Sequence, residues 1–440
     1  MTTASDRYLV RPGRPCDAAE LAALQASVQL SASTDGTPDA GIAAWVEDLL
    51  DGHPSVRHDD FVVAEEIATG RLVASLVGLR QDWSLAGVRL PVAQIELVGT
   101  LPAHRGNRLT ERLFTTLHQR YTTDGVPVQM IEGIPYFYRR LGYDYALAND
   151  GAPTVSATAL PANGQDQPTG GLTMRPATVT DADALADLDR SLADSTTLTC
   201  PRDAATWRYE IAGRRPTATA RRTVAVLARD THVLGYLVHG VRLSATGELI
   251  VVAAACPPNQ WPQAAPAMHT YLGRTGRQHE ASQGRPFTGV RPILDPRHPL
   301  ILLTPPGAPQ RPRGWYVRTG DPCDLLARLR PVLRERWRAA NLHWPEATLT
   351  IDTYGHAARL TFTDGHLTAV TAVRGAVSPP TDPATHAAIP PTALLQLALG
   401  HRSLPDVLNL WPDCLLRDRR TEHFLTAAFP TVPVHVWPRN

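Results

Sequence analysis

The chain opens the same way twice. Val10-Arg11-Pro12 followed by Asp17-Ala18-Ala19-Glu20-Leu21 is echoed by Met174-Arg175-Pro176 followed by Asp181-Ala182-Asp183-Ala184-Leu185, and arginine precedes aspartate by six positions in both. Such an echo predicts one fold laid down twice in tandem. Between the copies, ALPANGQDQPTGG (159–171) is rich in proline, glycine and polar residues, as interdomain linkers are. A second break, TPPGAPQRPRG, covers 304–314. Three domains are therefore expected, over residues 1–158, 172–303 and 304–440, in a chain long enough for each to bury a core.

Within the first copy, Tyr8 to Pro12 reads as a strand and Asp17 as the cap of a helix with Leu21, Leu24 and Val28 on its apolar face. Ala40 to Leu50 reads as a second helix, stopped by Gly52-His53-Pro54. Phe61 to Glu65 and Leu72 to Leu79 read as strands about a Thr69-Gly70 turn, and a third hairpin strand is expected to feed the next run. That run, Val92 to Leu101, has Ile95, Leu97 and Val98 suited to a buried strand, and Pro102 ends it. The basic turn His104-Arg105-Gly106-Asn107-Arg108 follows, then Leu109, Leu113 and Leu117 on one helical face. Strand, basic turn and helix make an anion site, because the first N–H groups of a helix lack partners and its dipole favours negative charge there. Taken alone, a solvated basic turn reads equally well.

A second stretch bears on the choice: Ile131-Glu132-Gly133-Ile134-Pro135-Tyr136-Phe137-Tyr138-Arg139-Arg140-Leu141-Gly142-Tyr143. Together the two stretches resemble the GNAT superfamily of acetyl-coenzyme A-dependent N-acetyltransferases. The resemblance implies a strand–helix–helix–antiparallel strands–strand–helix–strand–helix order and a mixed sheet covered on both faces. It implies that the backbone at Val98, Gly99 and Thr100 receives the acetyl-pantetheine arm. The residues Arg105, Gly106, Asn107, Arg108, Leu109, Thr110 and Glu111 would cradle the pyrophosphate, and Tyr138 would protonate the departing thiolate. One departure stands out. The family turn reads Arg-x-Arg-Gly-Leu or Arg-x-x-Gly-x-Gly, whereas here the glycine comes two positions early and Arg108 stands where a backbone without Cβ should approach phosphate. Asn107, which tolerates a left-handed conformation, is expected to compensate in part.

The second copy reaches its own apolar strand at Leu249 to Ala255, but Cys256-Pro257-Pro258-Asn259-Gln260-Trp261-Pro262 follows, with no arginine or glycine to build a cradle. It reads as a structural remnant. Beyond the second break, Leu325, Leu326, Leu329, Leu333 and Trp337 share a helical face, and Pro331 makes it two short helices or one kinked helix. Leu360 to Thr363 and Leu367 to Val370 flank an Asp364-Gly365 hairpin turn, Pro391 to Leu399 is a short helix, and an apolar tail runs from Val432 to Asn440. This last region is similar to a sterol-carrier-protein-like domain. The whole order resembles the Eis-like (enhanced intracellular survival) acetyltransferases: an α/β (mixed α+β) chain of tandem GNAT folds with mixed central sheets plus a sterol-carrier-like α+β domain. That resemblance implies acetyl-CoA as co-substrate, a primary amine of a small cationic molecule as acceptor, with aminoglycosides one class of candidate, a homo-oligomer, and the terminal carboxylate of Asn440 as general base. Glu96, acting through a water, is the alternative base. A non-catalytic ligand-binding or scaffold protein with a decayed phosphate turn is the alternative function.

Composition narrows the chemistry. All 43 basic residues of fixed charge are arginine, so a Walker A lysine, a pyridoxal Schiff base and a lysine general base are excluded. With 43 basic against 42 acidic residues, no nucleic-acid footprint is expected. The five cysteines lack CxxC pairing and metal spacing, there is no membrane-length apolar run, and the start shows no hydrophobic signal region. A cytoplasmic protein without a metal or membrane partner is the expectation.

Overall fold

The computed structural model describes residues 7–29, 37–161, 171–193, 197–304, 307–311, 313–374 and 384–438. Most of the 159–171 linker and the terminal Asn440 lie outside them. The first copy begins with β1 (Tyr8–Pro12), the helices Ala18–Val28 and Ala40–Asp51, and the strands β2 (Phe61–Glu66), β3 (Arg71–Leu85) and β4 (Val88–Thr100). No separate third hairpin strand exists. The segment read as one is the shared end of β3 and β4, long strands that turn at Ala86-Gly87, where both residues have positive φ. The Leu109–Thr123 helix, β5 (Val128–Ile131) and β6 (Asp144–Asp150) complete this region. The helix expected between the last two strands is only a 3-10 turn, Phe137–Leu141, bounded by left-handed Tyr136 and Gly142. Leu109, Leu113 and Leu117 are all buried, as their spacing requires.

The second sheet contains β7 (Val155–Ser156) and β8 (Leu172–Pro176), then, after β9 (Leu198–Thr199), β10 (Arg222–Arg229), β11 (His232–Gly240), β12 (Glu248–Ala255) and β13 (Gly289–Pro292). Its order β8-β10-β11-β12-β13 repeats β1-β2-β3-β4-β5, and in both copies the final pair alone is parallel. The duplication extends to atoms. Arg11 donates to both carboxylate oxygens of Asp17 at 2.7 and 3.0 Å, and to the carbonyl of Pro12 at 3.1 Å. Arg175 does the same to Asp181 at 2.8 and 2.7 Å and to Pro176 at 3.2 Å. Each aspartate also accepts the backbone N–H three residues before it, from Arg14 and Thr178. Asp17 is thus not the side-chain cap of the following helix, to which it makes no capping bond; a 3-10 turn intervenes and takes its carboxylate.

The sheets do not follow the expected boundaries at 158 and 304. The strand β14 (Arg313–Thr319) leaves the last region to insert between β5 and β6 of the first sheet. The third sheet is β15 (Thr348–Asp352), β16 (His356–Thr363), β17 (His366–Arg374), β18 (Ala387–Ala388) and β19 (Leu415–Leu416), in the order β17-β16-β15-β18-β19. Its Asp364-Gly365 hairpin has positive φ at both turn residues, as expected of this dipeptide. Of the two arrangements expected about Pro331, the structure has two short helices, Pro322–Arg328 and Arg330–Ala339, with Pro331 in the first turn of the second, where its missing N–H is harmless. Finally β20 (Val434–His435) pairs with β9, which pairs with the end of β3. Among the described residues no helix is long and apolar enough to cross a membrane.

The two Arg–Asp pairs differ in burial, since Arg11 and Asp17 keep 9 and 7% of their side-chain surface, whereas Arg175 keeps 42%. Removing a partner from a buried pair strands a charge, while a solvated pair contributes little. We expect Asp17→Asn to cost about 3 kcal/mol and Asp181→Asn less than about 1 kcal/mol in urea unfolding at pH 7. Burial pushes the Asp17 carboxyl up, but Arg11 and the Arg14 N–H outweigh it and hold it below its ordinary range. Its stabilisation is therefore present above about pH 4 and lost on further acidification.

Candidate active site

The site is organised by the far half of β4. Parallel pairing with β5 runs through Val92–Val128, Ala93–Gln129 and Gln94–Met130 and stops there, so residues 95–100 diverge from β5. At the divergence Leu97 takes a left-handed φ of 51°, and Leu97 and Val98 stand opposite the single residue Leu76. This bulge turns the strand. Its carbonyls are not left bare: Gln25 donates to Leu97 at 2.6 Å and Gln29 to Val98 at 2.9 Å. Gly99 is required by close approach, because a Cβ there would lie 2.3 Å from Cγ2 of Val28. Val98, Gly99 and Thr100 thus line a wedge between two strands that part, the opening a narrow thioester arm needs.

Beneath the wedge lies the basic turn. Gly106 has φ of 81° and a Cβ there would meet nothing within 4 Å, so the turn is open to a ligand. The second left-handed residue is Arg108, with φ of 54°, and not Asn107 as expected. Asn107 is instead tied into the turn, its amide donating to the His104 carbonyl at 2.9 Å and to Arg105. Arg108 therefore adopts a left-handed backbone at the position where the resembled pattern has glycine, and accepts its cost. No side chain caps the Leu109–Thr123 helix, so the N–H groups of Leu109, Thr110 and Glu111 point out of its start. Arg105 and Arg108 are exposed beside it, whereas Arg112 turns away to the Tyr8 carbonyl at 2.8 Å. The geometry suits an anion.

Above the wedge, Tyr138 is buried with its ring flat against Gly133, where a Cβ would come within 2.2 Å of it. It packs on Phe137, Phe114 and Tyr316 of β14. Burial, helped by the charge of Glu96, pushes its phenol up to about 12, so it carries its proton at neutral pH. Glu96 faces a cavity of about 360 Å³ lined also by Glu132, Asn149, Arg222, Val252, Ile293, Trp437 and Pro438. Burial raises the Glu96 carboxyl to about 7 against a 2.6 Å bond from Gln94 that favours its charge, with Glu132 pushing up and Arg222 down. Glu132 keeps solvent contact at the mouth, and its own setting also raises its carboxyl. A proton donor and a carboxylate poised near neutrality thus stand beside the open strand.

The structure therefore gathers Val98, Gly99, Thr100, Glu96 and Tyr138 at the wedge and the 105–111 turn below it. Asn440 lies outside the described residues, but the chain is followed to Pro438 in the cavity wall. Glu132, Asn149, Arg222 and Tyr316 escaped the sequence reading. Glu132 lies in the Ile131–Tyr143 stretch and is legible as a carboxylate beside the tyrosine block; Arg222 and Tyr316 arrive from distant strands and carry no local signal.

A strand wedge over an uncapped helix start, with a neutral phenol and a carboxylate near neutrality beside it, has the parts that acyl transfer from a thioester calls for. Residues 10–146 match the acetyltransferase (GNAT) domain family. No curated protein matches the chain. Solved structures share the fold over nearly the whole length. A GCN5-related N-acetyltransferase from Anabaena variabilis is 15% identical, covers 97% of this chain and 99% of its own, and has a TM-score of 0.68. One from Kribbella flavida is 17% identical, with 99% of both chains covered and a TM-score of 0.66. Eis1 from Mycobacterium abscessus is 15% identical, with 98 and 99% covered and a TM-score of 0.60. At such identities these likenesses establish the fold.

Left-handed backbone costs an L-residue about 1–2 kcal/mol, which glycine avoids. Arg108→Gly is therefore expected to leave the melting temperature unchanged or to raise it, while Gly106→Val lowers it; calorimetry of the two variants checks both signs.

Proposed function

We propose that the chain is an Eis-like N-acetyltransferase that moves an acetyl group from acetyl-CoA to a primary amine of a small cationic acceptor, with its last region a sterol-carrier-like domain and its setting a cytoplasmic homo-oligomer. The observation that carries the reading is the parting of β4 from β5 directly beside Tyr138 and Glu96. In it, the backbone at Val98, Gly99 and Thr100 receives the pantetheine arm. The turn from Arg105 to Thr110, with the Glu111 N–H, takes the pyrophosphate. Acetyl-CoA binds there as co-substrate; its thioester supplies the acyl carbon that the amine attacks. Tyr138 gives its proton to the leaving thiolate. The amine loses its proton to Glu96, directly or through water, or to the terminal carboxylate of Asn440. The two carboxylates in the cavity, Glu96 and Glu132, favour an ammonium-bearing acceptor, and aminoglycoside-like amines belong to that class.

Arg108 in the glycine position favours the second reading, a scaffold or ligand-binding protein with a decayed phosphate turn. A thiol-release screen over amine acceptors separates the two. Tyr138→Phe should lower turnover about a hundredfold with acetyl-CoA affinity unchanged. Loss of activity on extending the chain past Asn440, with Glu96→Gln active, assigns the terminus as base. The reverse result assigns Glu96, and the rate should then rise with pH through about 7 because the base works ionised. No thiol release, together with no thermal shift by millimolar acetyl-CoA, leaves the scaffold reading in place.

A further inference from the structure

The second copy of the fold has the strand of its first counterpart but none of the cradle. After β12 the chain turns through Pro258–Gln260 into a helix starting at Trp261, and no arginine stands at that start. What this copy does hold is the tail. The Val434 N–H donates to Asp295 at 3.0 Å, and His435 meets the Tyr236 hydroxyl at 2.9 Å. The Trp437 N–H points at the Cys200 sulfur, 3.4 Å away. The Arg202 guanidinium lies 3.2 Å from the Trp437 ring centroid and donates to the carbonyls of Trp437 at 3.3 Å and Pro438 at 2.9 Å. Arg222 donates to the same Pro438 carbonyl at 3.1 Å. Each of these partners lies between Leu198 and Asp295, in the second copy, yet Trp437 and Pro438 line the cavity of Glu96 in the first.

The two arginines are differently anchored. Arg202 is buried near Glu210, which sits 3.8 Å from it and 3.0 Å from Arg214. Arg222 keeps some surface and lines the cavity. We infer that Arg202 and Arg222 are positioning residues: the second copy clamps Trp437 and Pro438 so that the tail closes the acceptor cavity around Glu96. Holding a wall and facing the carboxylate are one act for Arg222, because its guanidinium bonds the tail and adds positive charge beside Glu96. Around Glu96 the other facing groups are Gln94 on its own strand, Glu132 after β5, and the Tyr138 phenol; Arg202, Arg214 and Glu210 stand behind Arg222. Removing the Arg222 cation leaves the Gln94 bond alone to oppose burial and Glu132, so the Glu96 carboxyl should rise further.

This inference rests on the acetyltransferase reading for its kinetic arm, and a structural arm keeps the two separable. In the full-length chain, Arg222→Met should lower kcat at least tenfold, leave acetyl-CoA affinity within about twofold, and move the rise of rate with pH to higher pH. Arg222→Lys, which restores the cation, should return the pH midpoint and part of kcat. Arg202→Lys keeps a charge for Glu210 but cannot stack on Trp437 while bonding two carbonyls, and should also lower kcat. Hydrogen exchange followed by mass spectrometry should show faster exchange in the peptide from Val432 onward in Arg222→Met, with the β4 peptide unchanged. An unchanged tail peptide overturns the clamp, whatever the enzyme does. So does a loss of kcat that tracks the folded fraction, leaves the pH profile in place and is not rescued by lysine. A wild-type chain that releases no thiol refutes the enzyme reading, and the exchange arm then decides the clamp by itself.

Discussion

Strand β4 serves two partners that it cannot satisfy along its full length. It pairs with β3 on both sides of Leu97, but with β5 only up to Gln94, and at Leu97 and Val98 the glutamines of the first helix take its carbonyls. The left-handed Leu97 bulges out of the β3 pairing just past the point where the β5 pairing ends. Strain of this kind persists only when its surroundings over-determine it, and here Gln25, Ser75 and the close contact of Gly99 with Val28 do so. The carboxylate of Glu96 projects one residue before the break, which puts a titratable group at the mouth of an opening made of backbone. Removing the bulge would close the sheet and leave Glu96 an ordinary strand carboxylate.

The duplicated architecture shows how two copies of one fold came to differ. Both retain the Arg–Asp pair that fixes the entry of the chain into its first helix, down to the bond from arginine to the following proline carbonyl. Both keep the parallel final pair of strands. They part company after the fourth strand, where one has a basic turn with two left-handed residues and the other has prolines leading into a helix. What survives in both copies is what folding needs; what stands in one alone is the basic turn.

Much of this was legible in the sequence, wherever the cause is local. Six-residue spacing brings an arginine and an aspartate together across a short turn, so the echo announced a repeated ion pair. The leucine spacing after Arg108 gave a helix face, and Asp364-Gly365 gave a hairpin. Local reasoning failed where the partner is far away or where a residue does another's work. Nothing near Arg313 says that its strand inserts beside β5, nearly two hundred positions earlier, since register across such distances is decided by which edges are left unpaired. Arg108 carried no sign of its left-handed backbone, because glycine or asparagine is the usual signal, and Asn107 drew the expectation to itself. The cavity around Glu96 was invisible for the same reason: its walls come from β4, the segment after β5, β6, β10, β12 and the tail.

The insertion of β14 has a bearing on how the chain comes into being. Because β14 stands between β5 and β6, those two strands of the first sheet do not pair with each other. A ribosome that has made residues 1–158 has made a domain with a missing slat, and some 150 further residues must emerge before the gap can be filled. The tail that walls the cavity comes later still. The cavity is thus walled only once Pro438 has been made, and a nascent or shortened chain leaves the facing edges of β5 and β6 unpaired, for chaperones to shield.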